Sequence, residues 1–110
     1  MAKKGQSTAT LRMKHAGELL QQDFLDELGI SQSQLANAIG VPRSRISAIC
    51  KAERPITMDT AIRLGKALGT TAQFWMNLQN EYDLREAKRL HDYADIHTLV
   101  AHNTLTVDAR

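Results

Sequence analysis

The side chains in this chain whose types could do chemistry are four histidines, one cysteine, scattered acids and a run of arginines. His15, His91, His97 and His102 show neither the HExxH spacing nor another recognised metal motif. His91 and Asp95 are four residues apart, a spacing that on a helix reads as a surface pair. Cys50 has no histidine at an activating distance and falls on an apolar stripe, so packing explains it better than nucleophilic chemistry. Asp26 and Glu27 belong to an acidic surface pattern with no sign of a pocket, and no glycine-rich loop is present to cradle a phosphate. The enzyme class is rejected on these grounds, and no residue set calls for a metal or cofactor.

The basic residues read differently. In "SQSQLANAIGVPRSRISAICKAERP", residues 31–55, Pro42, Arg43, Ser44 and Arg45 open a short helical pattern. Arginine can make two hydrogen bonds to guanine O6 and N7, and serine is short enough to reach a base edge or a phosphate. The charge pattern around them alternates. Residues 1–14 carry Lys3, Lys4, Arg12 and Lys14, whereas residues 15–39 carry Glu18, Asp23, Asp26 and Glu27. Residues 40–66 carry Arg43, Arg45, Lys51, Arg54, Arg63 and Lys66 against Glu53 and Asp59. The third block suits a polyanion, although a solvated helix face would explain charge alone.

Five helices must position these residues, and no strand is expected. The first spans Gly17 to Leu28, with Leu20, Phe24 and Leu28 at four-residue intervals, Leu19 and Leu25 beside them, and Gly29 as its stop. The second starts on Ser31, with Gln34 completing a capping box and Ile30 and Leu35 forming a hydrophobic staple. Leu35, Ala36 and Ile39 are its buried stripe, and Gly40 ends it. The third begins at Pro42 as its first helical residue. Ile46, Ile49 and Cys50 form its apolar face. That leaves Arg43, Ser44, Ser47 and Lys51 on the opposite face, with Arg45 towards one flank. Thr57 caps a fourth helix that Gly69 ends. Thr70 and Gln73 offer a capping box to a fifth, which runs through Phe74, Trp75, Leu78 and Tyr82 to about Arg89.

Helices of about nine residues are not stable alone in water, so the second and third must pack on each other and on a third element. The turn "GVP" between them is tight, Ala36 permits close approach, and Gly40 accepts the left-handed backbone. Two such helices form a helix-turn-helix. Its second helix enters the DNA major groove N-terminus first. Arg43, Ser44 and Arg45 then face base edges, and Gln32 at the start of the second helix faces a phosphate. A plain helical bundle with surface arginines would explain the basic face, but not the cap, staple and turn in the same window.

At 110 residues one domain is expected, with a basic tail over residues 1–14, a helical domain over 15–90 and a tail over 91–110. Hydrophobic residues at 43% and charged residues at 24% fit a soluble globular chain. No apolar run approaches the roughly 20 residues of a membrane span, and no secretory signal opens the sequence. A single cysteine fits a reducing cytoplasm. Phe74 and Trp75, about 100° apart on a helix, need cover on two sides. A second copy of the chain would supply it, which makes Phe74, Trp75, Leu78 and Tyr82 candidates for a two-fold interface.

Residues 15–89, from "HAGELLQQDFLDELGIS" through "FWMNLQNEYDLREAK", resemble the HigA branch of the lambda-repressor-like helix-turn-helix antitoxins. The helix-turn-helix part is shared by many repressors; "HAGELL" with "FWMNLQNEYDL" is far more specific. Ala16 stands where the family usually has proline, a change expected to matter little at the start of a helix. The resemblance implies an all-α, five-helix homodimer that binds a palindromic operator at its own promoter. It also implies a HigB-type toxin as partner, a ribosome-dependent ribonuclease that the antitoxin neutralises. Carried over by position, Gln32 is a phosphate contact, Arg43, Ser44 and Arg45 are base readers, and Ser47 and Lys51 flank them. A solitary regulator, or a module that mainly holds a toxin, is the alternative.

Overall fold

Helix formation begins at a histidine. A computed structural model describes residues 14–100, and its first helix is capped by His15, whose Nδ1 accepts the Gly17 N–H at 2.9 Å while Glu18 Oε1 accepts the His15 N–H at 3.1 Å. The reciprocal pair is a capping box built on imidazole. Ala16, the residue where the family resemblance lapses, is the first helical residue and is fully buried.

Helix α1 runs from Ala16 to Leu19, passes through a π-helical segment, Leu20–Leu25, and finishes with the turn Asp26–Leu28. The wider turn shifts the buried stripe. Leu20 and Leu25, five residues apart, are both fully buried, whereas Leu28 is 59% exposed. Of the expected four-residue stripe, Leu20 and Phe24 do meet the core and Leu28 is the correction: a π turn closes at i+5 and turns the residues after it away.

Helices α2 (Gln32–Ile39), α3 (Arg43–Cys50), α4 (Met58–Leu68) and α5 (Ala72–Leu90) complete five helices, with no strand among the described residues. Ser31 caps α2 as expected, its Oγ accepting the Gln34 N–H at 3.0 Å and Gln34 Oε1 accepting the Ser31 N–H at 2.8 Å. Thr57 caps α4. Gly29, Gly40 and Gly69 take left-handed backbone at the ends of α1, α2 and α4. Pro42 is the cap of α3 rather than its first residue: its ψ of 145° is extended, and its carbonyl accepts the Arg45 N–H at 3.0 Å. Thr71, not Thr70, caps α5. Thr70 Oγ1 instead accepts the Trp75 indole N–H at 2.7 Å, because a buried indole needs an acceptor.

One core joins all five helices through Ala16, Leu20, Leu25, Leu35, Ile39, Ile46, Ile49, Ala61, Leu64 and Trp75. Gln79, buried in α5, accepts the Ile56 N–H through Oε1 at 2.9 Å and donates to Asp83. That bond ties the loop after α3 to the longest helix. Residues 91–100 are exposed and lie outside any helix, so His91 and Asp95 do not share a helix face. Apart from Lys14, the expected basic tail lies outside the described residues, as do residues 101–110.

The His15 cap makes stability depend on pH. Burial lowers the imidazole pKa from its ordinary 6.5, against the opposing pull of Glu18 and Asp83. The folded chain then binds fewer protons than the unfolded chain below that value, so the stabilisation is complete above about 6.5 and is lost as pH falls from there through the folded pKa. Thermal melts from pH 8 to 5 should be flat at the alkaline end and decline below 6.5. His15→Asn, which replaces the imidazole cap with an amide oxygen that does not titrate, should flatten that decline. An equally steep decline in the variant would assign it elsewhere.

Candidate nucleic-acid interface

The hairpin of α2 and α3 is closed by local hydrogen bonds. Gly40 has φ of 73°, and the Val41 N–H reaches the Ala36 carbonyl at 3.0 Å. Arg63 of α4 clamps the same corner, donating from Nη1 to the Ile39 carbonyl at 2.7 Å. Ile46 and Ile49 of α3 are fully buried. Ser44 then points away from the core, Arg43 stands at the open first turn and Lys51 follows the last, and all three are exposed. Pro42 is exposed beside them and Ser47 is half-buried. The expected outward face thus exists as a surface, and its charged members are free of intramolecular ion pairs shorter than 4 Å among the described residues.

Arg45 is set apart from this face. Its side chain is 30% exposed and its Nη1 lies 3.9 Å from Asp59 Oδ2. The same carboxylate oxygen accepts from Arg63 Nε at 2.9 Å. Arg45 Nε is buried without an acceptor, a costly state for a charged donor. Asp59 therefore draws Arg45 to the flank next to α4, where the sequence pattern alone also put it. The Asp59–Arg63 pair was legible as an i,i+4 spacing. Its reach to Arg45 and to the end of α2 was not, because it crosses between helices.

Gln32 is half-buried at the first position of α2, and its Nε2 donates to Gln21 Oε1 of α1 at 2.8 Å. Lys51 follows the last turn of α3, with its N–H on the Ser47 carbonyl. Beyond it Ala52 adopts φ of 63°, a left-handed conformation rare for alanine. Lys51→Ala should reduce the salt slope of DNA binding by about 0.9 for each phosphate no longer neutralised, or about two units for a symmetric dimer. An unchanged slope would remove Lys51 from the phosphate-binding set.

The aromatic cluster faces inward more than expected. Trp75 is fully buried within its own chain, so it has no surface to offer a second copy. The missing cover comes from α1: the Phe24 ring lies 5.0 Å from Trp75 and 6.0 Å from Phe74. Phe74 remains 36% exposed, Leu78 is half-buried, and Tyr82 is half-buried with its ring edge-on to His15 at 4.9 Å. Cys50 is half-buried, and burial, with Asp26 nearby, pushes its thiol pKa up to about 11, which leaves it protonated and unreactive near neutral pH. Among the described residues no group of three His, Cys, Asp or Glu side chains could hold a metal ion, and no helix is long and apolar enough to cross a membrane. A shallow hollow of about 310 Å³ is lined by Ala38, Ile39, Arg63, Lys66 and Ala67, without a nucleophile or paired acids.

Comparison with known proteins agrees with this architecture. A helix-turn-helix family model matches residues 22–75. The chain is 41% identical over 96 residues to virulence-associated protein I of Dichelobacter nodosus, covering 87% of this chain and 84% of that protein. PA4674 of Pseudomonas aeruginosa, solved with 18 bp of its operator DNA, superposes with a TM-score of 0.76 at 42% identity, covering 80% of this chain and 98% of that one. The Pseudomonas aeruginosa antitoxin HigA, solved with the higBA promoter, gives 0.73 at 41% identity over 81% and 100% of the two chains. With its capped helix-turn-helix, its five-helix core and these relatives, the chain belongs to the HigA-type antitoxins of the helix-turn-helix family, which are DNA-binding regulators and not enzymes.

Proposed function

We propose that this chain is a sequence-specific transcriptional repressor that acts as the antitoxin of a HigB–HigA type pair, binding a palindromic operator in its own promoter as a homodimer. The observation that carries the reading is α3 itself. Ile46 and Ile49 anchor it in the core while Arg43 and Ser44 in its first turn, and Lys51 just after its last, stand exposed. Relatives of similar fold were solved on operator or promoter DNA. Arg43 and Ser44 are assigned to base edges, Lys51 and Gln32 to phosphates, and Ser47 and Pro42 to supporting contacts. Arg45 is assigned to the flank of the groove. Phe74, Leu78 and Tyr82 are the remaining candidates for a surface shared between two copies.

The test is fluorescence anisotropy on the chain's own promoter duplex and a scrambled duplex across a salt series. A preference of about a thousandfold or more for the promoter is expected of a specific repressor. Equal, weak and steeply salt-dependent binding to both would mean polyanion attraction alone. Neutralisation of a ribonuclease toxin is tested separately, by co-purification with the product of an adjacent small reading frame. If no such frame neighbours the gene, the toxin assignment fails and a solitary regulator remains.

A further inference from the structure

The π-helical segment of α1 has a consequence at the DNA-facing start of α2. In a regular α-helix, residues five apart are separated by about 500°, which leaves their side chains about 140° apart. Gln21 and Asp26 are five apart, yet Gln21 Nε2 donates to Asp26 Oδ1 at 2.7 Å. The wider turn brings them together: the Asp26 N–H bonds the Gln21 carbonyl across the same segment. Gln21 Oε1 in turn accepts from Gln32 Nε2 at 2.8 Å. A continuous chain of hydrogen bonds thus runs from an exposed carboxylate, through the π turn, to the first residue of α2.

The polarity of this chain is set at its acidic end. An ionised carboxylate only accepts, so Asp26 fixes which side of the Gln21 amide faces it. The Gln21 oxygen is left for Gln32, which must offer an N–H. Because an amide nitrogen carries two hydrogens, Gln32 keeps one donor beyond the bond to Gln21. A DNA phosphate is likewise an acceptor. A glutamine already held in one rotamer loses less conformational freedom on binding than one that rotates freely.

We propose that Gln21 and Asp26 are positioning residues that hold the Gln32 amide for a DNA phosphate, and that the π turn in α1 is the feature that aligns them. This inference rests on the DNA-binding reading above and on Gln32 as a phosphate contact.

The experiment is a double-mutant cycle on the full chain, with promoter affinity read by anisotropy and folding by thermal melts. Gln21→Leu keeps much of the side-chain volume and removes both hydrogen bonds. It should weaken promoter binding about threefold per protomer, or about tenfold for a symmetric dimer, with little change in melting temperature. Gln32→Ala should weaken binding at least as much, and the double variant should be no weaker than Gln32→Ala alone. Because the glutamine amide is uncharged, the salt slope should stay at its wild-type value. Unchanged affinity for Gln21→Leu, or a weakening that adds fully to that of Gln32→Ala, would overturn the proposal. If the wild type prefers its promoter but Gln32→Ala binds normally, the positioning role is lost and the repressor reading stands. If the wild type shows no preference, both fall.

Discussion

Replacing Arg43 by alanine is expected to weaken the promoter complex by about 2–6 kcal/mol while leaving the fold intact. A bidentate arginine–guanine pair discriminates by about 1–3 kcal/mol, and a two-fold complex contains the substitution twice. Arg43 is the first residue of α3, is exposed, and lies at the end of the helix proposed to enter the groove. Its removal uncovers no core, since Arg43 is exposed while Ile46 and Ile49 hold the helix in place. The check is an anisotropy panel in which each base pair of the half-site is permuted in turn. Arg43→Ala should lose preference at one position in each half-site and retain it elsewhere. A preference pattern identical to wild type would remove Arg43 from base reading, whatever the change in affinity. Arg45→Ala should cost less, because that side chain already lies against Asp59.

Gly17→Ala should lower stability by about 3 kcal/mol and melting temperature by roughly 12–24 °C. A methyl group at this position would sit 1.7 Å from the Ile49 carbonyl oxygen and 2.4 Å from the carbonyl carbon. Both are backbone atoms in the last turn of α3, so no rotamer change relieves the clash. Alanine's higher helix propensity recovers only about 1 kcal/mol, which does not offset a forced separation of α1 from α3. Calorimetry or far-ultraviolet melts of the two proteins decide it. A variant that melts at or above the wild-type temperature would show that α1 can move away from α3 at little cost. Because α3 carries Arg43 and Ser44, the substitution should also weaken promoter binding below its melting transition.

The five helices were legible because their ends are written in local chemistry. Ser31 with Gln34, Thr57, and the glycines at 29, 40 and 69 act within a few residues of themselves. The exposed side of α3 was legible for a similar reason: Ile46 and Ile49 define the buried face, Ser44 falls opposite it, and Arg43 stands at the helix start. Pro42 was misplaced by one residue because proline's fixed φ suits both the cap and the first helical position. The three-residue spacing from Thr70 to Gln73 favours Thr70 as the cap, but Thr71 holds that place. The indole of Trp75 claims the first, which leaves the second to cap α5. The His15 cap is harder to read because imidazole is an uncommon cap, and Glu18 three residues later is its one local signal.

By itself the sequence determined the number of helices, the helix-turn-helix, the basic outward face of α3 and the family. Each depends on spacings of one to four residues or on residue types at matched positions. Only the tertiary structure decided the π turn of α1, the enclosure of Trp75 by Phe24, the pull of Asp59 on Arg45 and the bond from Gln21 to Gln32. Gln21 and Gln32 are eleven residues apart in sequence, and Arg45 and Asp59 are separated by a helix end and a loop. No local period encodes such distances. They are set by the single core on which all five helices settle.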